Sequence, residues 1–305
     1  MASSVIRIGT RGSPLALVQA RTVDALLREA HPDCRTEIVV IKTTGDKIRD
    51  RPLAEIGGKG LFTKELDTAL VAGDIACAVH SMKDMETALA DGIDVAAVLP
   101  REDPRDAFLS PVADRIADLP EGAVVGTTSL RRQAQILDRR PDLSVVTFRG
   151  NVDTRLEKLR AGTVQATLLA MAGLNRLGRT DVGAVPLEPD ELLPAAAQGA
   201  VAITVRTGDT AMRETMAPLD HRTTNVCVTA ERAFLAALDG TCKTPIAALA
   251  QMTGNNDVSL RGLVATPDGT VRRDGTCNAS AADIAVAAHE LGLELKAAMG
   301  RHMPR

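Results

Sequence analysis

Residues Ala76–Glu86, ACAVHSMKDME, are the stretch around which the rest of the chain can be interpreted. The stretch begins as a short apolar strand and then carries several polar side chains, with no glycine or proline to make it an ordinary turn. A strand that ends in this way places polar groups at the carboxyl edge of a sheet, where open α/β folds bind ligands. The alternative is that Asp84 caps a following helix and Lys83 points to solvent. The polar residues are His80, Ser81, Lys83, Asp84 and Glu86.

The sequence on both sides of this stretch predicts strands that alternate with helices. Ser13-Pro14 resembles a helix N-cap with proline at the first helical position, and this helix is expected to continue to about Ala30. Such alternation favours parallel sheets built from βαβ units. The predicted strands are Val5–Gly9, Thr36–Lys42, Ile75–Val79, Ile93–Leu99, Ala123–Gly126, Ser144–Phe148, Ala166–Ala170 and Ala200–Arg206. The other predicted helices here are Leu61–Val71, Arg132–Arg139 and Arg155–Arg160.

Breaks in this pattern predict the domain organisation. Leu99–Phe108 is rich in proline and charge and predicts a crossing between two domains, and Leu193–Gly199 is a second break. Thr43–Gly60 is polar, contains several glycines and is too long for a routine connection, which predicts a mobile lid. The last part predicts a small α+β domain, with PDG as one turn signal. Its predicted elements are a helix at Thr224–Leu238, strands at Ile246–Met252, Val258–Thr266 and Thr270–Asn278, and a helix at Ala281–Met299.

The composition excludes some classes of function. The chain has four Phe and no Tyr or Trp, so its cores must be aliphatic. A single-strand nucleic-acid binder, which stacks bases on aromatic rings, is therefore disfavoured, and we expect no nucleic-acid partner. The net charge of −3 gives no overall positive field, yet 28 of the 36 basic residues are Arg. The arginine fork matches carboxylates and phosphates, although codon usage in a GC-rich genome would also explain the bias.

The cysteines and the N-terminal sequence indicate the compartment. The five cysteines are widely spaced and form no CxxC pair, so they suggest neither a disulfide framework nor a thiolate zinc site, and we expect no metal. The beginning, MASSVIRIGTRG, has no apolar signal core, and no run approaches the roughly 18 apolar residues of a membrane helix. A cytoplasmic protein without a membrane partner is the expectation.

The arginines occupy equivalent positions in the predicted βαβ units. Each one follows a predicted strand or begins the next helix, and in open parallel sheets those turns share one edge. Helix N-termini add partial positive charge and free N–H groups at the same edge. Any single arginine here is more simply a solvated helix-end residue, but the repeated placement predicts a polyanion-binding cleft between two α/β domains. The residues are Arg11, Arg131, Arg132, Arg149, Arg155 and Arg176, with hydroxyls nearby at Thr127, Thr128 and Ser129.

Cys242 is the other candidate for chemistry. It lies in the turn Asp239–Pro245, DGTCKTP, between a predicted helix and a predicted strand. A loop position makes a thiol accessible, and the adjacent Lys243 should favour the thiolate. The other cysteines lie in ordinary contexts where a role as a small buried hydrophobe is expected. The residues alone leave it open whether Cys242 is functional.

The chain resembles the porphobilinogen deaminase (hydroxymethylbilane synthase) family along nearly its whole length. The resemblance is carried by ordered motifs that would be weak singly and are specific together. They are IGTRGSPLALVQA, GGKGLFTKEL, HSMKD, VGTTSLRRQAQ, FRGNVDTRL, AGLNRLG, LPAAAQGA and ERAFLAALDGTCKTPIA.

The resemblance implies a fold, an activity and a cofactor. It implies an α/β fold with two periplasmic-binding-protein-like α/β domains and a small α+β third domain. The first domain would be discontinuous (1–99 plus 200–217), the second would span 105–193, and the third, carrying the cofactor cysteine, would span 222–305. Members of the family are transferases of tetrapyrrole and heme biosynthesis that condense four porphobilinogen units, with loss of ammonia, on a dipyrromethane cofactor. Hydrolysis then releases hydroxymethylbilane. A monomer that binds the small molecule porphobilinogen is expected.

The resemblance also implies roles for individual residues. Cys242 would carry the dipyrromethane through a thioether, and Asp84 would be the catalytic acid that meets the pyrrole N–H groups and assists loss of the amine. Lys59 would belong to the lid. The cofactor's acids would be held by Ser81, Lys83, Thr127, Ser129, Arg131, Arg132 and Arg155. The incoming monomer would be bound by Arg11, Ser13, Arg149 and Arg176.

Some positions depart from the family pattern. HSMKD is followed here by Met85-Glu86 where a hydrophobic residue and proline are usual, so an extra carboxylate lies close to Asp84. It would raise the proton affinity of Asp84 or simply point to solvent. The cysteine turn also differs, because Thr241 replaces glycine, Thr244 valine and Ala247 glycine. The alternative function is a two-lobed dicarboxylate-binding or sensing protein without catalysis, but Cys242 would have no purpose in it.

Overall fold

A computed structural model describes residues 5–47, 60–241 and 244–304, except for the side chains of residues 46 and 47. The strands, in chain order, are β1 Ile6–Thr10, β2 Thr36–Val40, β3 Cys77–Ser81, β4 Ile93–Val98, β5 Asp106–Leu109, β6 Val124–Gly126, β7 Ser144–Val146, β8 Ala166–Ala170, β9 Val185–Pro186, β10 Val201–Arg206, β11 Ile246–Met252, β12 Asp257–Ala265 and β13 Arg272–Ser280. The helices are α1 Pro14–Ala30, α2 Thr44–Lys47, α3 Lys64–Ala72, α4 Leu130–Arg139, α5 Val152–Arg160, α6 Met171–Arg176, α7 Thr210–Met216, α8 Arg222–Ala237 and α9 Ile284–Met299.

The chain divides into two compact units. The first comprises Met1–Arg101 and Ala200–Asn225, and the second comprises Glu102–Gly199 and Val226–Arg305. The first unit is therefore discontinuous in sequence. The three-domain boundaries expected from the sequence stay a prediction.

The first unit is built on a mixed sheet in the order β2-β1-β3-β10-β4. β1 pairs in parallel with β2 and β3, whereas β10 runs antiparallel to both β3 and β4. Ser13 caps α1 as predicted, accepting a hydrogen bond from the backbone N–H of Ala16 at 3.3 Å. The carboxyl ends of β1 and β3 therefore lie side by side at one edge of the sheet, next to the beginning of α1.

The second unit contains a sheet with the same arrangement of directions, in the order β7-β6-β8-β5-β9. β6 pairs in parallel with β7 and β8, and β5 runs antiparallel to both β8 and β9. Phe108 and Leu168, each at most 1% exposed, lie in one of the two apolar clusters that pack against this sheet. The carboxyl ends of β6, β7 and β8 are followed directly by α4, α5 and α6, so the first turns of these helices share one edge.

The second unit also contains the predicted α+β region. β11, β12 and β13 form an antiparallel meander, and its core consists of apolar residues of β11 and β12 packed against those of α8 and α9. Phe234 of α8 is fully buried against Gly262 of β12, where a Cβ atom would lie 2.3 Å from the ring. Only glycine fits there. With two α/β sheets and this α+β region, the predicted fold class is confirmed.

The structure corrects several expected elements. Leu99–Phe108 is not only a break, because its end and the next residue form the buried strand β5. α4 begins at Leu130 and α5 at Val152, two and three residues earlier than predicted, since Ser129 and Asn151 cap them. The predicted elements also lacked β9 and α7.

Candidate active site

A pocket in the first unit lies at the carboxyl ends of β1 and β3. It has a volume of about 70 Å³. Part of its wall comes from the turn that follows β1 and from the first turns of α1, and part from the end of β3 and the short 3₁₀ turn Met82–Asp84. The polar residues that line it are Arg11, Ser13, Gln19, Thr63, His80, Ser81 and Asp84.

The 3₁₀ turn presents Asp84 to solvent. Asp84 is the last residue of the turn, and residues 85–92 form no helix, so the interpretation of Asp84 as a helix cap is wrong. Met82 and Met85, on either side, are buried and anchor the turn. Lys83 lies half-buried between them. The arrangement leaves the Asp84 carboxylate exposed at the pocket.

The other polar groups of this pocket are held in place. The Gln19 amide is buried and makes two hydrogen bonds with Ser81, donating through Nε2 at 2.9 Å and accepting at Oε1 from Oγ at 3.2 Å. The Arg11 guanidinium stacks over the ring of Phe62, with 4.2 Å from Cζ to the ring centroid. Arg11 thus contributes positive charge to a pocket that also contains the Asp84 carboxylate.

His80 is a buried histidine that lines this pocket. Its Nε2 lies 3.1 Å from the Thr204 hydroxyl of β10. Burial, with a contribution from the positive charge of Arg11, lowers the pKa of His80 to about 4. The ring is therefore neutral at physiological pH and acts as a hydrogen-bonding group.

Glu86, the departure from the family pattern, makes a local contact. One of its carboxylate oxygens accepts a hydrogen bond from the backbone N–H of Gly60 at 2.7 Å. In the same unit, Glu65 accepts hydrogen bonds from the backbone and hydroxyl of Thr44 at 2.8 and 2.5 Å. Glu86 therefore does not simply point to solvent. Residues 48–59, including the predicted lid residue Lys59, lie outside the described residues.

The second unit gathers arginines at the corresponding edge of its own sheet. Arg131 and Arg132 lie in the first turn of α4, are 5% and 6% exposed, and both pair with Asp106 at the beginning of β5. Burial raises the pKa of Asp106, but the two guanidiniums outweigh this effect and hold the pKa well below its usual range. Asp106 was not among the site residues predicted from the sequence. Its burial could have been recognised from the apolar run Ala-Phe-Leu that follows it, because such a run is typical of a buried strand.

Arg149 and Arg155 bring further positive charge to this edge. Burial, together with the charges of Arg132 and Arg149, lowers the pKa of Arg155 to about 10. Its Nε donates to the carbonyl of Gly150 at 3.0 Å. Arg149 Nη1 is buried and has no hydrogen-bond partner among the described residues. An unpaired buried guanidinium nitrogen next to other cations is a position that an anion would satisfy.

The other site residues predicted in this unit are Arg176, which is the last residue of α6, and Thr127 and Ser129, which lie just before α4. Arg176, at the end of α6, donates to the carbonyl of Gly199 at 2.7 Å, and burial lowers its pKa while Glu102 opposes the shift. The Thr127 hydroxyl accepts from the backbone N–H of Ser129 at 3.1 Å, and Ser129 caps α4. These two hydroxyls therefore already support the backbone that carries Arg131 and Arg132.

The predicted attachment residue Cys242 lies outside the described residues, as does Lys243. Of the other cysteines, Cys77 and Cys227 are buried, and Cys34 and Cys277 are half-buried. Burial raises the pKa of the Cys77 thiol to about 12, so this thiol is unreactive at neutral pH. Within residues 5–47, 60–241 and 244–304, no group of three His, Cys, Asp or Glu side chains could hold a metal ion. In the same ranges no helix combines the length and apolar character needed to cross a bilayer.

Comparison with known proteins decides the family. Residues 6–214 match the family model described as "Porphobilinogen deaminase, dipyromethane cofactor binding domain", and residues 225–300 match "Porphobilinogen deaminase, C-terminal domain". The chain belongs to the porphobilinogen deaminase family. Family membership confirms the resemblance inferred from the motifs and implies a transferase of tetrapyrrole biosynthesis. It does not favour the dicarboxylate-binding alternative.

Curated relatives agree with the family models. The chain is 52% identical over 303 residues to the chloroplastic porphobilinogen deaminase of Oryza sativa subsp. japonica, covering 97% of this chain and 85% of the relative. It is 55% identical over 273 residues to the chloroplastic enzyme of Pisum sativum, covering 88% and 74%. Among solved structures, the chain is similar to the periplasmic VFT2 domain of Bordetella pertussis BvgS, with a TM-score of 0.41 and 15% identity over 70% of this chain and 85% of that chain.

Proposed function

We propose that this chain condenses four porphobilinogen units head to tail, releasing one ammonia for each unit added, and then releases hydroxymethylbilane by hydrolysis. The observation that carries the proposal is the excess of buried positive charge in the second unit. There, burial and the charges of Arg132 and Arg149 lower the pKa of Arg155, and Arg149 Nη1 has no hydrogen-bond partner among the described residues. Each pyrrole unit bears an acetate and a propionate, and such acids supply the carboxylates that this cluster lacks.

The dipyrromethane cofactor of the family fits this arrangement. We propose that it is attached through a thioether to Cys242 and that its acids are bound by Lys83, Arg131, Arg132 and Arg155, with Ser81, Thr127 and Ser129. When bound, it supplies the primer on which the pyrrole chain grows. Two buried guanidinium nitrogens without partners among the described residues, Arg131 Nε and Arg149 Nη1, support an anionic ligand here.

Asp84 is the proposed catalytic acid. Its carboxylate is exposed at the pocket of the first unit, so it can reach a bound substrate. In this role it donates a proton to the departing amine and, once ionised, stabilises the positive charge that develops on the pyrrole. The neutral His80 beside it does not compete as a cation. Arg11 and Ser13 in this unit, and Arg149 and Arg176 in the other, are proposed to bind the acids of the incoming porphobilinogen.

The compartment, oligomeric state and partners of the enzyme also stay proposals. A cytoplasmic monomer that functions in heme biosynthesis, without nucleic-acid or membrane partners, is the expectation from the sequence. The two plant relatives are chloroplastic proteins by name. Lys59 is proposed to belong to a lid. We also propose three domains, with the boundaries 1–99 plus 200–217, 105–193 and 222–305.

Intact-mass measurement of the purified chain tests the proposed function. We expect the wild-type chain to carry an adduct equal to two pyrrole units and to release ammonia from porphobilinogen. Cys242→Ser should show the bare sequence mass and no turnover, because serine forms no thioether. Cys277→Ser, which changes a half-buried thiol in β13, is the matched control and should keep both the adduct and the activity. A folded wild-type chain with the bare mass and no ammonia release would refute the proposal.

A further inference from the structure

Asp106 is a fully buried carboxylate whose surroundings are almost entirely cationic. Its Oδ1 accepts from Arg132 Nη2 at 2.6 Å, Arg132 Nε at 3.0 Å and Arg131 Nη2 at 3.1 Å. Its Oδ2 accepts from Arg131 Nη1 at 2.7 Å. One negative charge therefore holds two guanidiniums by paired hydrogen bonds, which fixes the plane and direction of each fork.

Backbone carbonyls complete the hold on both arginines. Arg131 Nη1 also donates to the carbonyl of Leu193 at 2.8 Å, and Arg132 Nη1 donates to the carbonyl of Leu168 at 2.7 Å. Arg131 Nε remains buried without a hydrogen-bond partner among the described residues. The group of one carboxylate and two guanidiniums keeps a net charge of about +1, because burial does not remove the charge of an arginine. It is thus ordered and still attracts an anion.

A second layer of contacts holds Asp106 itself. Gln198 Nε2 donates to Asp106 Oδ1 at 3.2 Å and to the carbonyl of Pro104 at 2.8 Å. The residue before it, Ala197, has a left-handed φ of 59° and donates its backbone N–H to the buried Glu231 of α8 at 2.6 Å. Glu231 also accepts from the N–H of Ala250 in β11 at 2.8 Å. The position of Asp106 is therefore determined by α8 and β11 as well as by its own strand.

We propose that Asp106 is a positioning residue that keeps Arg131 and Arg132 ordered for the carboxylates of a large bound ligand and not for small anions from solvent. Its carboxylate accepts hydrogen bonds from the two arginines and from Gln198, and it acts on a ligand through the arginine forks. This inference rests on the proposed function, in which those arginines bind carboxylates of the cofactor. Because Asp106 is ionised and neutralises one of the two cations, it also limits how strongly small anions from solvent compete for the site.

The perturbation is Asp106→Asn, which keeps the size of the side chain and removes its charge. The amide keeps one acceptor oxygen but replaces the other with an N–H donor that faces Arg131 Nη1, so the two arginines lose their shared negative charge and carry one more uncompensated positive charge. We expect the fraction of folded chain that carries the adduct to fall at least tenfold, and the dissociation constant of inorganic phosphate, measured by titration calorimetry, to fall at least tenfold. The matched control is Asp142→Asn, whose carboxylate pairs with Arg140 at 2.6 Å on the surface of the same unit. It should change neither quantity.

The outcomes separate positioning from a purely structural role. Folded Asp106→Asn with wild-type adduct content and wild-type phosphate affinity would overturn the inference, whatever its melting temperature. If Asp106→Asn does not fold, Gln198→Met decides, since it keeps the charge of Asp106 and removes the neutral hydrogen bonds that Gln198 Nε2 donates to Asp106 Oδ1 and to the Pro104 carbonyl. A twofold to fivefold loss of adduct in that folded variant supports positioning, and full loading refutes it. A folded wild-type chain with neither adduct nor ammonia release would refute the proposed function alone, and the phosphate titration would still decide the role of Asp106.

Discussion

Acidification from pH 7 to pH 4 is expected to destabilise the first unit through a single buried group, His80. The ring is 6% exposed, contacts the Thr204 hydroxyl and lies near the positive charge of Arg11. Burial and that charge lower its pKa from 6.5 to about 4. In the unfolded chain the ring is protonated below about pH 6.5, whereas in the folded protein it stays neutral until about pH 4. Between these values the unfolded state binds more protons, so stability falls as the pH falls.

The magnitude follows from the two pKa values. One pKa unit corresponds to about 1.4 kcal/mol, so the full loss between pH 6.5 and pH 4 is about 3 kcal/mol, of which about 2 kcal/mol is already lost at pH 5. Above about pH 6.5 the neutral ring makes its full contribution to the free energy of unfolding. Such a loss is a large fraction of the typical stability of a domain.

Urea unfolding at a series of pH values measures this loss. The chain contains no Trp or Tyr, so backbone circular dichroism is the suitable signal. His80→Asn can still donate a hydrogen bond to Thr204 and does not titrate, so subtracting its pH profile from that of the wild type isolates the histidine. His289→Asn, on the exposed surface of α9, controls for histidine content. Parallel profiles for wild type and His80→Asn between pH 4 and pH 6.5 would refute the reasoning.

Two further substitutions test the site and its support. Asp84→Asn should keep the adduct mass but lower turnover by about 10²–10⁴-fold, because a positioned acid contributes on that order. Asp91→Asn, which changes a neighbouring exposed carboxylate, is its control. Near-normal turnover of Asp84→Asn would remove Asp84 from the mechanism. Ala197→Gly should leave the free energy of unfolding within about 0.5 kcal/mol of the wild type, since relief of the left-handed φ of 59° offsets the lost methyl group and the greater freedom of the unfolded chain. By contrast, Ala230→Gly in the buried face of α8 should cost about 1–2 kcal/mol in the same urea titration, and equal losses at both positions would contradict the strain at Ala197.

Local signals predicted most of the elements around the site. The Ser13 cap, the strands before Arg11 and Arg149, and the meander of the α+β region depend on residues a few positions apart, and such patterns can be recognised in a sequence. The start of α4 was predicted two residues late because Ser129 was interpreted as part of a turn, although it is a good N-cap residue. Asp84 was predicted as a polar group at the end of a strand, and the structure places it at the end of the turn that follows β3.

The sequence by itself determined the alternation of strands and helices and the position of each arginine at the end of a strand or in the adjacent helix. Only the tertiary structure decided which of those arginines are already paired and which still need an anion. Asp106 is separated by 25 and 26 residues from the two arginines it binds, and His80 by 124 residues from its hydroxyl partner. The physical reason is that charge pairing and loss of solvent depend on distance in space. Hydrophobic periodicity, in contrast, depends on neighbours along the chain.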